Sequence, residues 1–195
     1  SKTSTEAHPA SSGTLSPTGL IPVMQDGEFT LADSTAICLY LERKQPAPPL
    51  LPADIKDYAR ALWFDAYAGG TLFRHVVHPL FAQTVVGPSI RNVPTDKAVV
   101  NDVLTNVQPK ILGYLERQIT GKFLVGDAMT LADIAIASNF IVYQYLGFEI
   151  DADRYPNLAK YLRGIVATAA FQQALTDERP FVEQMGLKRD FLSAA

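Results

Sequence analysis

Four prolines within eight residues, Pro46, Pro48, Pro49 and Pro52 in the stretch 45–52, divide this chain more firmly than any other feature. Proline fixes φ and lacks the amide that a helix or an inner strand needs, so neither element can run through such a stretch. Residues 45–52 are therefore read as a semi-rigid, extended linker. On its amino-terminal side Leu20–Met24 is apolar, Asp26-Gly27 is a two-residue hairpin signal, and Phe29-Thr30-Leu31 alternates afterwards. A β-hairpin is expected there. Asp33 and Ser34 then offer helix N-caps, followed by Ile37, Tyr40 and Leu41 at helical spacing up to Lys44. On the other side, residues 53–86, 96–119, 131–146, 157–166 and 168–175 carry helical periodicity with no strand pattern between them. The expected organisation is a small α/β unit over 1–44, with 1–15 a polar flexible arm, then the linker 45–52 and an all-helical domain over 53–195.

Composition narrows the function. At 195 residues and 48% hydrophobic, the chain can bury a core without metal or disulfide staples. Its 17 basic and 20 acidic residues form no basic block, which argues against a nucleic-acid partner. No apolar run approaches the roughly 18 residues of a membrane helix, since even 134–142 is broken by Ser138 and Asn139. The single cysteine, Cys38, excludes an intrachain disulfide and a multi-cysteine zinc site. It reads as a small packed hydrophobe. The polar start lacks the apolar centre of a signal peptide, so a cytoplasmic protein is expected. His75 and His78 stand three apart on a helix without a third ligand at suitable spacing, so no metal is expected.

Three motifs have physical readings of their own. Ile21-Pro22 opens a strand, the position where proline is tolerated, and the X-Pro bond is where a cis peptide costs little. Asp33-Ser34 places a hydroxyl and helix-start amides where a carboxylate is welcome. Thr130 and Asp133 are spaced as a capping box, with Met129 and Ile134 as its hydrophobic staple, which assigns them a structural role. Trp63, Phe64, Tyr67, Phe73 and Phe81 recur along the first long helix and read mostly as core, while Gly69-Gly70 predicts a bend or a close helix approach.

Two segments resemble the glutathione transferase family, of bacterial type, in the family's order. They are Ser16-Pro17-Thr18-Gly19-Leu20-Ile21-Pro22-Val23 with Ala32-Asp33-Ser34-Thr35-Ala36-Ile37 after the hairpin, and Gly126-Asp127-Ala128-Met129-Thr130-Leu131-Ala132-Asp133-Ile134. The resemblance implies a mainly α protein: a partial thioredoxin-like α/β unit followed by the family's all-helical domain. It implies glutathione as co-substrate, its cysteinyl backbone paired with Ile21 beside Pro22, its γ-glutamyl carboxylate on Ser34 and its amino group near Asp33. It further implies a hydrophobic electrophile in a cleft along the first long helix, for which Tyr67, Thr71 and Arg74 are nominated. A homodimer through the first two long helices, a role in detoxification, and no membrane partner complete the expectation. The family's opening strand-helix-strand, which carries the Tyr, Ser or Cys at the glutathione sulfur, has no counterpart in residues 1–18, so no catalytic residue is assigned. The alternative is a non-catalytic module of the same build, used for binding or assembly.

Overall fold

The computed structural model describes residues 16, 19 and 21–187, and the expected arm over 1–15 lies outside them. The chain forms two compact units, Ser1–Leu50 and Leu51–Ala195.

In the first unit, strands β1 (Val23–Asp26) and β2 (Phe29–Ala32) pair antiparallel in the register Val23↔Ala32 to Asp26↔Phe29. The turn therefore falls on Gly27-Glu28, one residue later than Asp26-Gly27 suggested. Only Gly27 has positive φ, 62°, which is the pattern of a hairpin turn with glycine first. Helix α1 (Ser34–Lys44) follows at once. Its last turn is held to the hairpin tip by the Asp26 carboxylate, which accepts from the Tyr40 hydroxyl and the Lys44 ammonium. Lys44, and then Tyr40, hold the Asp26 carboxyl below the usual carboxylate range. Phe29 packs on Tyr40 with ring centroids 5.2 Å apart.

The proline stretch departs from a simple extended linker. Ala47-Pro48 is cis, and the Leu50 amide returns to the Glu42 carboxylate at 3.0 and 3.1 Å, so the chain folds back on α1.

Among the described residues of the second unit, every regular element is a helix. A first rod runs through α2 (Ile55–Tyr67), a widened segment π1 (Ala68–Val77), α3 (His78–Phe81) and a second widened segment π2 (Ala82–Ile90). A second rod comprises α4 (Lys97–Asp102), π3 (Val103–Val107) and α5 (Gln108–Gln118). Then come α6 (Leu131–Tyr145), α7 (Pro156–Val166) and α8 (Ala169–Gln184). The widened segments close i to i+5, as in His78 N–H to Phe73 O, Arg91 N–H to Val86 O and Gln108 N–H to Val103 O. Each precedes or contains a proline: Pro79, Pro88 and Pro109. A proline ring strikes the carbonyl four residues back and offers that carbonyl no donor, and a turn opened to i+5 relieves both. The first rod consequently reaches Ile90 rather than residue 86. Gly69 and Gly70 lie at the start of π1 without any close helix approach, since a Cβ on either would meet nothing within 4 Å. The last helix runs to Gln184 instead of 175, because Phe171, Leu175 and Val182 repeat on one face and all three are buried.

Helix α6 is the axis of this unit, packed by α2, π1 and α7. Leu131, Ile136, Phe140 and Ile141 are buried, and burial on so many sides explains why its sequence is apolar nearly all round. Its start is correspondingly inside the protein. Thr130 and Asp133 form a capping box, and Asp133 is 0% exposed. Its carboxylate accepts from the amides of Thr130 (2.8 Å) and Leu124 (2.9 Å), the Thr130 hydroxyl (3.1 Å) and the Tyr161 hydroxyl of α7 (2.8 Å). Burial, then the Asp133 charge, pushes the Tyr161 phenol well above its ordinary range. Helix α7 begins without a cap of its own, and Glu116 of α5 supplies one by accepting from the Asn157 amide (3.0 Å) and the Leu158 amide (2.8 Å).

Asp133→Ala would strand the Leu124 and Thr130 amides and the Tyr161 hydroxyl in the interior, at roughly 1–3 kcal/mol each before relaxation. It should lower stability by roughly 3–5 kcal/mol, against about 1 kcal/mol for Tyr161→Phe, which removes one donor and leaves the carboxylate three. Chemical denaturation measures both, and an Asp133→Ala midpoint equal to wild type would refute this account of the α6 start.

Candidate functional site

In the first unit the two motifs flanking the hairpin are brought together by its pairing. The Ile21-Pro22 peptide is cis, and the Pro22 carbonyl accepts from the Asp33 amide at 3.3 Å, one step beyond the Val23↔Ala32 pair. The strand entry and the start of α1 thus share one end of the unit. Ile21 is 83% exposed, and no hydrogen bond among the described residues uses its amide or carbonyl. Among the described residues, its amide and carbonyl are thus left without a hydrogen-bond partner next to a helix start.

Asp33 is the N-cap of α1. Its Oδ1 accepts from the Ala36 amide at 3.0 Å, while its carbonyl takes the Ile37 amide. Its backbone sits at φ 82°, ψ 128°, a conformation that belongs to glycine and costs a side-chain-bearing residue of order 1–3 kcal/mol. A helix cap has no need of such a backbone, since the other Asp caps, Asp54 and Asp96, are extended at φ −66° and −79°. The conformation turns the exposed Asp33 and Ser34 outward at the end where Ile21 lies. The arrangement suits a zwitterionic, peptide-like ligand: a carboxylate for an ammonium, a hydroxyl and helix-start amides for a carboxylate, and free backbone for backbone. Cys38 is half-buried further along α1.

The three nominated cleft residues lie on the first rod of the second unit. Tyr67 ends α2 half-buried, and its hydroxyl is directed to the Ile111 carbonyl of α5 at 3.4 Å. Burial, then the neighbouring Tyr114 phenol, pushes it up to about 12, against the lowering effect of Arg117. Thr71 is half-buried and Arg74 exposed, both in π1, and no hydrogen bond among the described residues joins the three. His75 and His78 are exposed, with the His78 ring 5.7 Å from Phe73. The aromatic series on this rod is less of a core than its recurrence suggests. Phe64 is fully enclosed with Ala61, Ala68 and Leu72, but Trp63, one residue round the helix, is 54% exposed and Phe73 43%. Trp63 instead donates its indole N–H to the Tyr114 hydroxyl at 3.0 Å, and Tyr114 lies 5.0 Å from the Tyr67 ring. Tyr114 was not among the residues singled out from the sequence, where nothing but its place on the second long helix marks it.

Family models match both parts of the chain: the glutathione S-transferase N-terminal domain over residues 2–49 and the C-terminal domain over residues 86–175. Glutathione S-transferase Z1 of Arabidopsis thaliana is 33% identical over 169 residues, 85% of this chain and 73% of that protein. A probable maleylacetoacetate isomerase of Vibrio cholerae is 29% identical over 181 residues, 90% of this chain and 80% of that protein. Among solved structures, a glutathione S-transferase from Rhodospirillum rubrum superposes with a TM-score of 0.74 at 26% identity, covering 84% of this chain and 73% of that one. Human glutathione transferase theta-2, in complex with glutathione and an unknown ligand, superposes with a TM-score of 0.74 at 28% identity, over 89% of this chain and 72% of that one.

The Asp33 backbone yields a stability test. Both Asp33→Ala and Asp33→Gly lose the side-chain cap, but only glycine relieves the positive φ. Asp33→Gly should therefore be about 1 kcal/mol more stable than Asp33→Ala in urea denaturation, and the reverse order would mean that the backbone at Asp33 is unstrained.

Proposed function

We propose that this chain, which belongs to the glutathione S-transferase family, binds glutathione at the Ile21–Asp33–Ser34 end of its first unit and serves conjugation of the glutathione sulfur to a hydrophobic electrophile. The observation that carries the reading is the meeting of the exposed Ile21, next to Pro22 and with no backbone partner among the described residues, with the strained N-cap Asp33. In this reading the Ser34 hydroxyl and the first amides of α1 take the γ-glutamyl α-carboxylate, and the positive end of the helix adds to the attraction. The Asp33 oxygen not engaged in capping faces the ammonium of the same residue. Ile21 pairs with the cysteinyl backbone as an added strand would.

The chemistry is a displacement or addition in which a new carbon–sulfur bond forms, the thiol proton passes to solvent or a base, and any leaving group departs with its electron pair. Its rate depends on the thiolate fraction, so a sulfur-directed donor is required, and no position of this chain is assigned that role. Tyr67, Thr71 and Arg74 are the residues proposed for the wall of the electrophile cleft. A cytoplasmic homodimer joined through the two long rods, with a part in detoxification, fits the same reading, and the exposed Ile55 and Tyr58 of α2 supply apolar surface for that contact.

Calorimetric titration with glutathione beside a conjugation assay on a generic aryl halide tests the proposal. Ser34→Ala should weaken binding by about 10- to 100-fold, the equivalent of a charge-assisted hydrogen bond of roughly 1.5–3 kcal/mol, while its melting temperature stays near wild type. Binding without turnover would select a non-catalytic module of the same build, and absence of binding would remove the proposal altogether. Light scattering at micromolar concentration should give twice the chain mass, and a monomer would exclude the dimer.

A further inference from the structure

The outer side of α8 carries an apolar stripe that the glutathione reading does not use. Ala170, Ala174, Phe181 and Met185 follow at i, i+4, i+11 and i+15, a spacing that keeps them within one narrow sector of the helix, and all four are exposed. Phe181 is 63% exposed and Met185 52%, one turn apart at the helix end. The core face of α8 is a different one, held by the buried Phe171, Leu175 and Val182. None of the stripe residues belongs to the surfaces already given to glutathione, the electrophile or the dimer.

Helix α8 ends by turning the chain back. Gly186 takes a positive φ of 65°, its amide bonds to the Glu183 carbonyl at 3.0 Å, and the Leu187 amide bonds to the Val182 carbonyl at 3.1 Å, the paired bonds of a Schellman ending. Leu187 packs against the core that includes Val182. The next residues therefore leave from a point already folded toward the helix rather than continuing along its axis. They read Lys188-Arg189-Asp190-Phe191-Leu192-Ser193-Ala194-Ala195. The last turn of α8 holds no basic residue to meet the partial negative charge of its end carbonyls, and the first two residues beyond Leu187 are a lysine and an arginine. At roughly 3.3 Å per residue, the chain from Leu187 to Phe191 spans about 13 Å, against about 6 Å of helix between Met185 and Phe181. Phe191 and Leu192, the large apolar residues of the segment, are thus within reach of both.

We infer that the segment 188–195 docks on its own helix, with Phe191 and Leu192 on the Phe181–Met185 stripe and Lys188 and Arg189 at the carbonyl end of α8. Contact of the Phe191 ring with Phe181 and the Met185 thioether takes apolar surface out of water on both partners. The short tether from Leu187 holds the segment at high effective concentration, so a contact of this size closes within the chain, an advantage that the same segment of a second copy lacks.

Met185 is one of three methionines, with Met24 and Met129, so methyl-13C-methionine labelling of the full chain gives one reporter at the stripe and two away from it. Met185→Leu identifies the reporter. In wild type the Met185 methyl should show a nuclear Overhauser contact to the Phe191 ring, and Phe191→Ala should remove it and shift the signal downfield while Met24 and Met129 stay in place. The double charge reversal Lys188→Glu, Arg189→Glu should shift Met185 the same way by a smaller amount, and it carries the test if Phe191→Ala disturbs the other two methyls. Peroxide should oxidise Met185 about threefold faster or more in Phe191→Ala than in wild type. All wild-type signals should be unchanged on tenfold dilution. A Met185 signal and oxidation rate indifferent to Phe191→Ala would overturn the inference, as would a Met185 shift that fades on dilution, which would assign the stripe to a second copy.

Discussion

The Asp133 carboxylate is the constraint on which the helical unit depends. A central helix must start somewhere, and the start of α6 lies inside the protein, where helix-start amides have no water to turn to. A side chain must answer them. Asp133 does so for the Thr130 amide, and the same group fixes the incoming loop through Leu124 and the neighbouring helix through Tyr161. Three segments are thereby placed by one group. The burial of a charge there is tolerable because every direction of approach is occupied by a donor.

The small unit solves the opposite problem, too little core. None of the residues of α1 is fully buried, and the two-stranded sheet has little face to cover. Polar ties do the positioning in its place: Asp26 with Tyr40 and Lys44 at one end, Pro22 with Asp33 at the other, and Glu42 with the Leu50 amide behind. Ile21, Asp33 and Ser34 are exposed at the end held by the Pro22–Asp33 tie. An arrangement in which polar groups are left outward while the backbone is held in a strained form is what a pre-organised binding site requires.

Much of this was legible in the sequence because the signals were local. The hairpin, the α1 cap at Asp33 and the Thr130–Asp133 box are all written within a few residues, where spacing maps directly onto geometry. The shift of the turn to Gly27-Glu28 was not, since Asp26-Gly27 and Gly27-Glu28 are both sound turns and packing of Phe29 on Tyr40 of α1 accompanies the one adopted. Long-range partners escaped as well. Nothing in the spacing connects Trp63 to Tyr114, Tyr161 to Asp133 or Glu116 to Asn157, because those contacts exist only once helices are side by side. Two helices run past the ends expected at 86 and 175, and each continues through a proline, Pro88 within a widened turn and Pro180 at an exposed position.

The borrowed cap on α7 has a consequence for how the helical unit opens. The Asn157 and Leu158 amides have as their acceptor a carboxylate that belongs to α5, some forty residues upstream, rather than a neighbour of their own. Their exchange with solvent deuterium must therefore follow the loosening of α5 as well as that of α7, since departure of either helix uncovers them. Two amides at the edge of one helix thus act as sentinels for another, and the first turn of α7 cannot fray independently in the way that helix ends ordinarily do.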